Sequence, residues 1–151
     1  MADFETLTLE REIPCSPERL FHLITDRDTR QKWSAPDNDS VLIIDEYDLR
    51  PGGHEKIRCG PKDSPDFNTL GQFHVVTPEF FCLTETLAVG GETMSISLCS
   101  HEISATATGS LLRLTLQITS LVGPEMFKDF SNGWSASLAN LAALASDNPG
   151  A

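Results

Sequence analysis

Two glutamates stand where a folded protein seldom leaves a charge. Along residues 54–59, Glu55 shares its parity with Ile57 and Cys59; along 80–89, Glu85 shares its parity with Phe81, Leu83, Leu87 and Val89. If both stretches are strands, alternation sends each carboxyl group to the apolar side. A carboxylate there is costly unless it is paired or protonated. One that is held there can orient a ligand or move a proton as a general acid or base. Glu55 and Glu85 are therefore weak catalytic candidates, and Glu85 is a ligand-binding one as well. Arg50 and Arg58 are the partners in view for them. The plainer alternative is that each glutamate sits near a strand end and reaches water, or that a β-bulge reverses the parity.

No other grouping points to chemistry. His22, His54, His74 and His101 fall on four separate elements, His74 on an outer face and His101 near a strand end, without HxxxH or HExxH spacing. Cys15, Cys59, Cys82 and Cys99 form no CxxC pair. No metal site and no cofactor are expected. GxSxG, GxGxxG and GxxxxGK[ST] are all missing, so no sequence pattern names an enzyme. The scattered cysteines read as reduced thiols and, with no apolar leader after Met1, point to a cytoplasmic protein. Acids outnumber bases 22 to 11, a net charge of −11. That argues against nucleic acid and anionic membranes as partners, since both need a basic face. No run reaches the ~18–20 apolar residues of a membrane span.

The elements that must position these groups follow from periodicity. The 151 residues read as one domain over 1–151. A strand is predicted over Phe4–Ile13. Ser16-Pro17-Glu18-Arg19 then starts a short helix, with Ser as cap and Pro in the first turn. Thr25-Asp26 caps a second short helix ending near Trp33. Strands are predicted over Val41–Tyr47, His54–Cys59, Thr69–Thr77, Phe80–Val89, Thr93–Ile103 and Ser110–Leu121, with an exposed loop at Gly60–Asn68. Short links make consecutive strands antiparallel neighbours. From Pro124 to Ala145, Phe127, Phe130, Trp134, Leu138 and Leu141 mark one face of a long helix, and Ser146–Ala151 reads as a frayed tail. The expected class is α+β: a helix-grip, with a curved antiparallel sheet of about seven strands around a long C-terminal helix and two short helices between strands 1 and 2.

The same parity proposes a pocket between helix and sheet. Its wall is expected to hold Ile57, Phe73, Val75, Phe81, Leu83, Met94, Ile96, Leu98, Leu112 and Leu114 from the strands. Phe130, Trp134 and Leu138 come from the helix, and Trp33 stands either at the mouth or as a core anchor. Ser95 and Ser97 are placed outside.

Several pieces of the chain together resemble a known family. They are Arg11-Glu12-Ile13 before Ser16-Pro17-Glu18-Arg19-Leu20-Phe21, Thr25-Asp26 leading to Lys32-Trp33, and Asp48-Leu49-Arg50-Pro51-Gly52-Gly53. Gly71-Gln72-Phe73, Thr77-Pro78, Leu83-Thr84-Glu85 and Asn132-Gly133-Trp134 follow in order. This pattern resembles the START-like (SRPBCC, birch-pollen-allergen-like) superfamily. Within it, the chain is most similar to homologues of the C-terminal domain of the activator of the heat-shock protein 90 ATPase. The resemblance implies a hydrophobic cavity, a small apolar or amphipathic ligand, no universal catalytic set, and frequent homodimers. Three functions come into view. The first is a ligand-binding protein, and the second a stress-associated, co-chaperone-like module with a chaperone partner. The third is a cyclase- or dehydratase-type enzyme using a cavity carboxylate.

Overall fold

The computed structural model describes residues 1–147, so residues 148–151 of the expected tail lie outside the described residues. The order is β1 (Asp3–Ile13), α1 (Pro17–Thr25), α2 (Arg27–Trp33), β2 (Ser40–Tyr47), β3 (His54–Pro61), β4 (Phe67–Val76), β5 (Phe80–Val89), β6 (Glu92–Ala105), β7 (Ser110–Ser120) and α3 (Glu125–Asp147). This is the α+β helix-grip: a curved, open antiparallel sheet with one long helix after it and two short ones between β1 and β2.

The sheet runs β1-β7-β6-β5-β4-β3-β2. Strands β2 to β7 form a meander joined by short links. β1 instead pairs along its length with β7, Asp3 opposite Ser120 and Ile13 opposite Ser110. β1 and β2 are thus the two edges, and the chain between them, α1 and α2, crosses the width of the sheet.

The short helices begin where local chemistry puts them. Ser16 Oγ accepts from the Arg19 amide at 3.2 Å, with Pro17 in the first turn. Asp26 Oδ2 accepts from the Thr29 amide at 3.0 Å and starts α2. Each bond satisfies an amide that the helix itself leaves free.

The core lies between the helices and one face of the sheet. Leu20, Leu23 and Ile24 of α1 and Trp33 of α2 are buried there. So are Leu138, Leu141 and Ala145 of α3, with Phe73, Phe81, Leu83, Leu112, Leu114 and Leu116 of the sheet. Trp33 is an anchor, not a mouth: it is 4% exposed, and its Nε1 donates to the Leu23 carbonyl at 2.9 Å. α3 is held to the end of α2 by polar bonds as well. Ser137 Oγ donates to the Ser34 carbonyl at 2.7 Å, and Asn140 Nδ2 to the Ala35 carbonyl at 2.9 Å. Among the described residues, no helix is long and apolar enough to cross a membrane.

Two strand readings need correction, and a bulge explains one of them. The β4–β5 register shifts between Phe73 and Val75, so that Val76, not Val75, lies opposite Phe81. Val75 is turned outward and is 41% exposed. The turn at Arg50–Gly53 docks there: the Gly52 amide donates to the Phe73 carbonyl and the Phe73 amide to the Gly53 carbonyl, at 2.7 and 2.9 Å. Gly52 has φ +83°, and a Cβ on Gly53 would collide with the Asp48 carbonyl, so this turn needs both glycines. The loop expected over Gly60–Asn68 is also shorter, because β3 continues to Pro61 and β4 begins at Phe67.

The second correction is larger. In β6 the helix-facing residues are Ser95, Ser97, Cys99, His101 and Ile103, all buried. Met94, Ile96 and Leu98 lie on the opposite face, with Ile96 46% exposed. The expected wall of Met94, Ile96 and Leu98 is therefore not on the pocket side. Ile103 shares the serines' parity, and it, not the apolar triplet, marks the core face of this strand.

Candidate functional site

The corrected register changes the chemistry of the helix-facing surface. Residues opposite one another across an antiparallel pair share a face. Tyr47 is opposite Glu55, Glu55 opposite Gly71, Gly71 opposite Glu85, and Glu85 opposite Ser97. One polar row therefore crosses five strands, β2 to β6. The neighbouring row adds Ile57, Thr69, Leu87 and Ser95.

Glu55 does not reach water. It is 1% exposed, and its Oε1 accepts from Arg30 Nη1 at 2.7 Å. Arg30 comes from α2, with its guanidinium 5.7 Å from the centre of the Tyr47 ring. Tyr47 in turn donates its hydroxyl to the Thr25 carbonyl, at the end of α1. Burial opposes the Arg30 charge, but Glu55 outweighs it and holds the guanidinium pKa above the ordinary value. The partners considered from sequence are engaged elsewhere: Arg58 with Asp45 and Arg50 with Asp48, each at 2.7 Å.

Glu85 is different. It is half-buried and makes no ion pair or hydrogen bond among the described residues. Burial first, and the Glu55 charge second, push its carboxyl up to about 7, with Arg30 opposing. The same burial raises the neighbouring thiols, Cys59 to about 11 and Cys99 well above its ordinary value. His101 lies stacked on Phe81, ring centres 4.1 Å apart, and meets Trp134 edge-on at 6.2 Å. Burial, and then the Arg30 charge, push its pKa down to about 3, so it is neutral.

Four polar atoms on this face are buried without a partner: Thr69 Oγ1, Ser95 Oγ, Ser97 Oγ and His101 Nδ1. Buried polar groups are almost always bonded, so four together on one face are informative. Gly71 makes the room. A Cβ there would fall 2.9 Å from Glu55 Cγ and 3.0 Å from Leu83 Cδ1. Gly71→Ala is expected to destabilise the protein by about 1–3 kcal/mol through overpacking. A urea unfolding midpoint that does not move would contradict this.

The structure buries Phe73, Phe81, Leu83, Leu112, Leu114 and Leu138 in one core with Trp134 packed against it, and strand register puts Ile57 and Glu85 on the same face of the sheet. Phe130 stands half-buried beside them on α3. It sends Val75, Met94, Ile96 and Leu98 away. Sequence reasoning missed Arg30, Tyr47, Thr69, Ser95, Ser97 and His101 as members. The one available signal was Ile103, whose parity selects the serines. Two shallow surface concavities, of about 370 and 480 Å³, are lined by Phe4–Thr6 with Gln117–Thr119 and by Glu79, Phe80 and Arg113 with their neighbours. Neither includes Glu55 or Glu85. Among the described residues, no group of three or more His, Cys, Asp or Glu is placed to hold a metal ion.

Solved structures share this architecture across almost the whole chain. A protein of Rhizobium loti is 28% identical, with 95% of this chain and 98% of that one covered and a TM-score of 0.82. One of Chromobacterium violaceum is 24% identical over 92% and 95%, TM-score 0.82. An uncharacterised protein of Rhizobium leguminosarum is 21% identical over 97% of both, TM-score 0.82. A search of the curated proteins finds no match. The sequence profile of one family, described as Activator of Hsp90 ATPase homolog 1-like protein, matches residues 14–146, and the chain belongs to that family, within the START-like superfamily.

Proposed function

We propose that this protein binds a small apolar or amphipathic molecule between the helix-facing side of β3–β6 and the first half of α3. The observation that carries this reading is the set of buried, unpartnered hydroxyls of Thr69, Ser95 and Ser97. They share their face with Glu55 and Glu85 and with the apolar and aromatic side chains of Ile57, Phe73, Phe81 and Leu83. A folded chain tolerates such atoms where something else supplies the bond. Phe127, Phe130 and Trp134 support the same reading: they pack on the core yet remain half-exposed, unlike Leu138 and Leu141 further along α3. Apolar walls with a few convergent polar groups are the usual makeup of small-ligand sites.

The adjacent residues Ile96 and Ser97 provide the test, since they face opposite ways. Nile red, a neutral apolar dye, is expected to bind with micromolar affinity. Ser97→Leu is expected to weaken it by about tenfold, the range of one misfitted side chain in a pocket. Ile96→Ser should leave it unchanged. No dye binding to the wild-type protein, or equal loss in both variants, would end the reading.

A catalytic reading has one observation in its favour. Glu85 titrates near neutrality, where a general acid or base works best. If a molecule retained from the native host is recovered and is transformed as fast by Glu85→Gln as by wild type, that role is removed.

A further inference from the structure

The polar row is specific enough to ask which head group it fits. Among the described residues its one ion pair is internal: Arg30 is tied to Glu55, so each offsets the other's charge. His101 is neutral. Among the described residues that leaves the Glu85 carboxyl as the one unpartnered ionisable group on the row, with hydroxyls around it. Ser97 is directly across the β5–β6 pair, while Ser95 and Thr69 flank Leu87 one step along. Side chains directly across an antiparallel pair stand about 5 Å apart and diagonal ones about 7–8 Å. One group lodged among them can reach several. Ser95 and Ser97 are 1% and 2% exposed, and neither hydroxyl has a partner.

We propose, building on the binding role above, that the row seats a cationic head: the ligand is an amphipathic primary amine, its ammonium against Glu85, Ser97 and their neighbouring hydroxyls and its apolar body beneath Trp134 and Phe130. An ammonium carries three N–H donors and no acceptor. A carboxylate with hydroxyl oxygens beside it offers acceptors for all three. An alcohol head has a single donor and no charge, so it leaves the carboxylate without a counter-ion. A carboxylate head would face Glu85 with no free cation to offset it. The whole-chain charge of −11 acts in the same direction, raising the local concentration of cations.

The pH behaviour follows from every group that faces Glu85. Arg30 from α2 keeps its charge, and Tyr47 from β2 and Cys59 from β3 are raised by burial. Cys99 from β6 is raised and His101 lowered, so both stay neutral. Glu55 from β3 is held in its ion pair, and α3 presents Trp134 and Phe130. Glu85 is therefore the group that changes charge between pH 5.5 and 8.

The test compares octylamine, 1-octanol and octanoate by calorimetric titration, on wild type, Ile96→Ser and Glu85→Gln. At pH 8, octylamine should bind wild type about tenfold more tightly than octanol, as expected of a charge-assisted hydrogen bond, with octanoate weakest. The preference should shrink at pH 5.5, persist in Ile96→Ser, whose side chain lies on the opposite face, and vanish in the Glu85→Gln variant. If octanol binds as well as octylamine, or the preference survives in the Glu85→Gln variant, the amine assignment is wrong while the pocket stands. The same holds if a protein that takes up Nile red binds none of the three. If Nile red itself does not bind, the pocket reading fails first.

Discussion

Arg30→Met is expected to cost about 3–5 kcal/mol of folding stability, because it leaves a buried carboxylate without its counter-charge. For a chain of this size that corresponds to a fall in Tm of roughly 10 °C. Glu55 is almost fully enclosed, and among the described residues Arg30 is its only side-chain hydrogen-bond partner. The guanidinium also joins α2 to β3 across the sheet, so its loss loosens the helix pair and the polar row together. The double replacement Arg30→Met/Glu55→Leu removes both charges and should regain most of the loss, since a well-packed apolar pair often matches a buried ion pair. Urea unfolding of the two variants decides the matter. A loss below about 1 kcal/mol for the single variant, or no recovery in the double, would show that the pair is effectively solvated.

Glu85→Gln is expected to stabilise the protein at pH 8 and to leave it unchanged at pH 4. In the folded state the Glu85 pKa is about 7 against an ordinary 4.5, so folding takes up a proton between those values. Stability from this group is fully present below pH 4.5 and is lost as pH rises toward 7, by about 3 kcal/mol. His101 runs the other way. Its folded pKa is about 3 against 6.5, so its contribution is full above pH 6.5 and is lost as pH falls below that. Between pH 4.5 and 6.5 the two slopes nearly cancel in the wild type. Removing the carboxyl unmasks the histidine: Glu85→Gln should gain about 2–3 kcal/mol over that interval as pH rises. Unfolding measured at pH 4, 5, 6, 7 and 8 gives both curves. Parallel curves for wild type and variant would mean that Glu85 titrates as an ordinary surface acid.

Much of this architecture was legible in the sequence, for reasons that can be named. Ser16-Pro17 and Asp26 start helices through bonds within three residues, so local chemistry was enough. The meander from β2 to β7 followed from short links, and the inward parity of Glu55 and Glu85 from alternation in β3 and β5. What failed was decided by contacts between distant segments. β6 carries large side chains on both faces, Ile96 and Leu98 on one and His101 and Ile103 on the other, so its amphipathic pattern is ambiguous. Its register with β5 resolves it, and no local rule does. Val75 was lost to a one-residue bulge. Arg30 lies 25 positions before Glu55 on a helix whose orientation only the folded chain fixes. Alternation had placed Glu55 and Glu85 correctly, but it had assigned Ser97, which completes their row, and Ser95 beside it to solvent.

The pairing of β1 with β7 sets a schedule for the protein's birth. When a ribosome extrudes this chain at ~5–20 residues per second, β1 emerges many seconds before Ser110–Ser120, its one strand neighbour. α3, which also packs on β1, comes later still. During that wait Leu7 and Leu9 have no cover and the strand has an open edge, the condition under which chains pair wrongly with their neighbours. The sheet's first edge is thus its last to close. Codon or loop changes that delay β7 should reduce the yield of folded protein without altering a single contact in it.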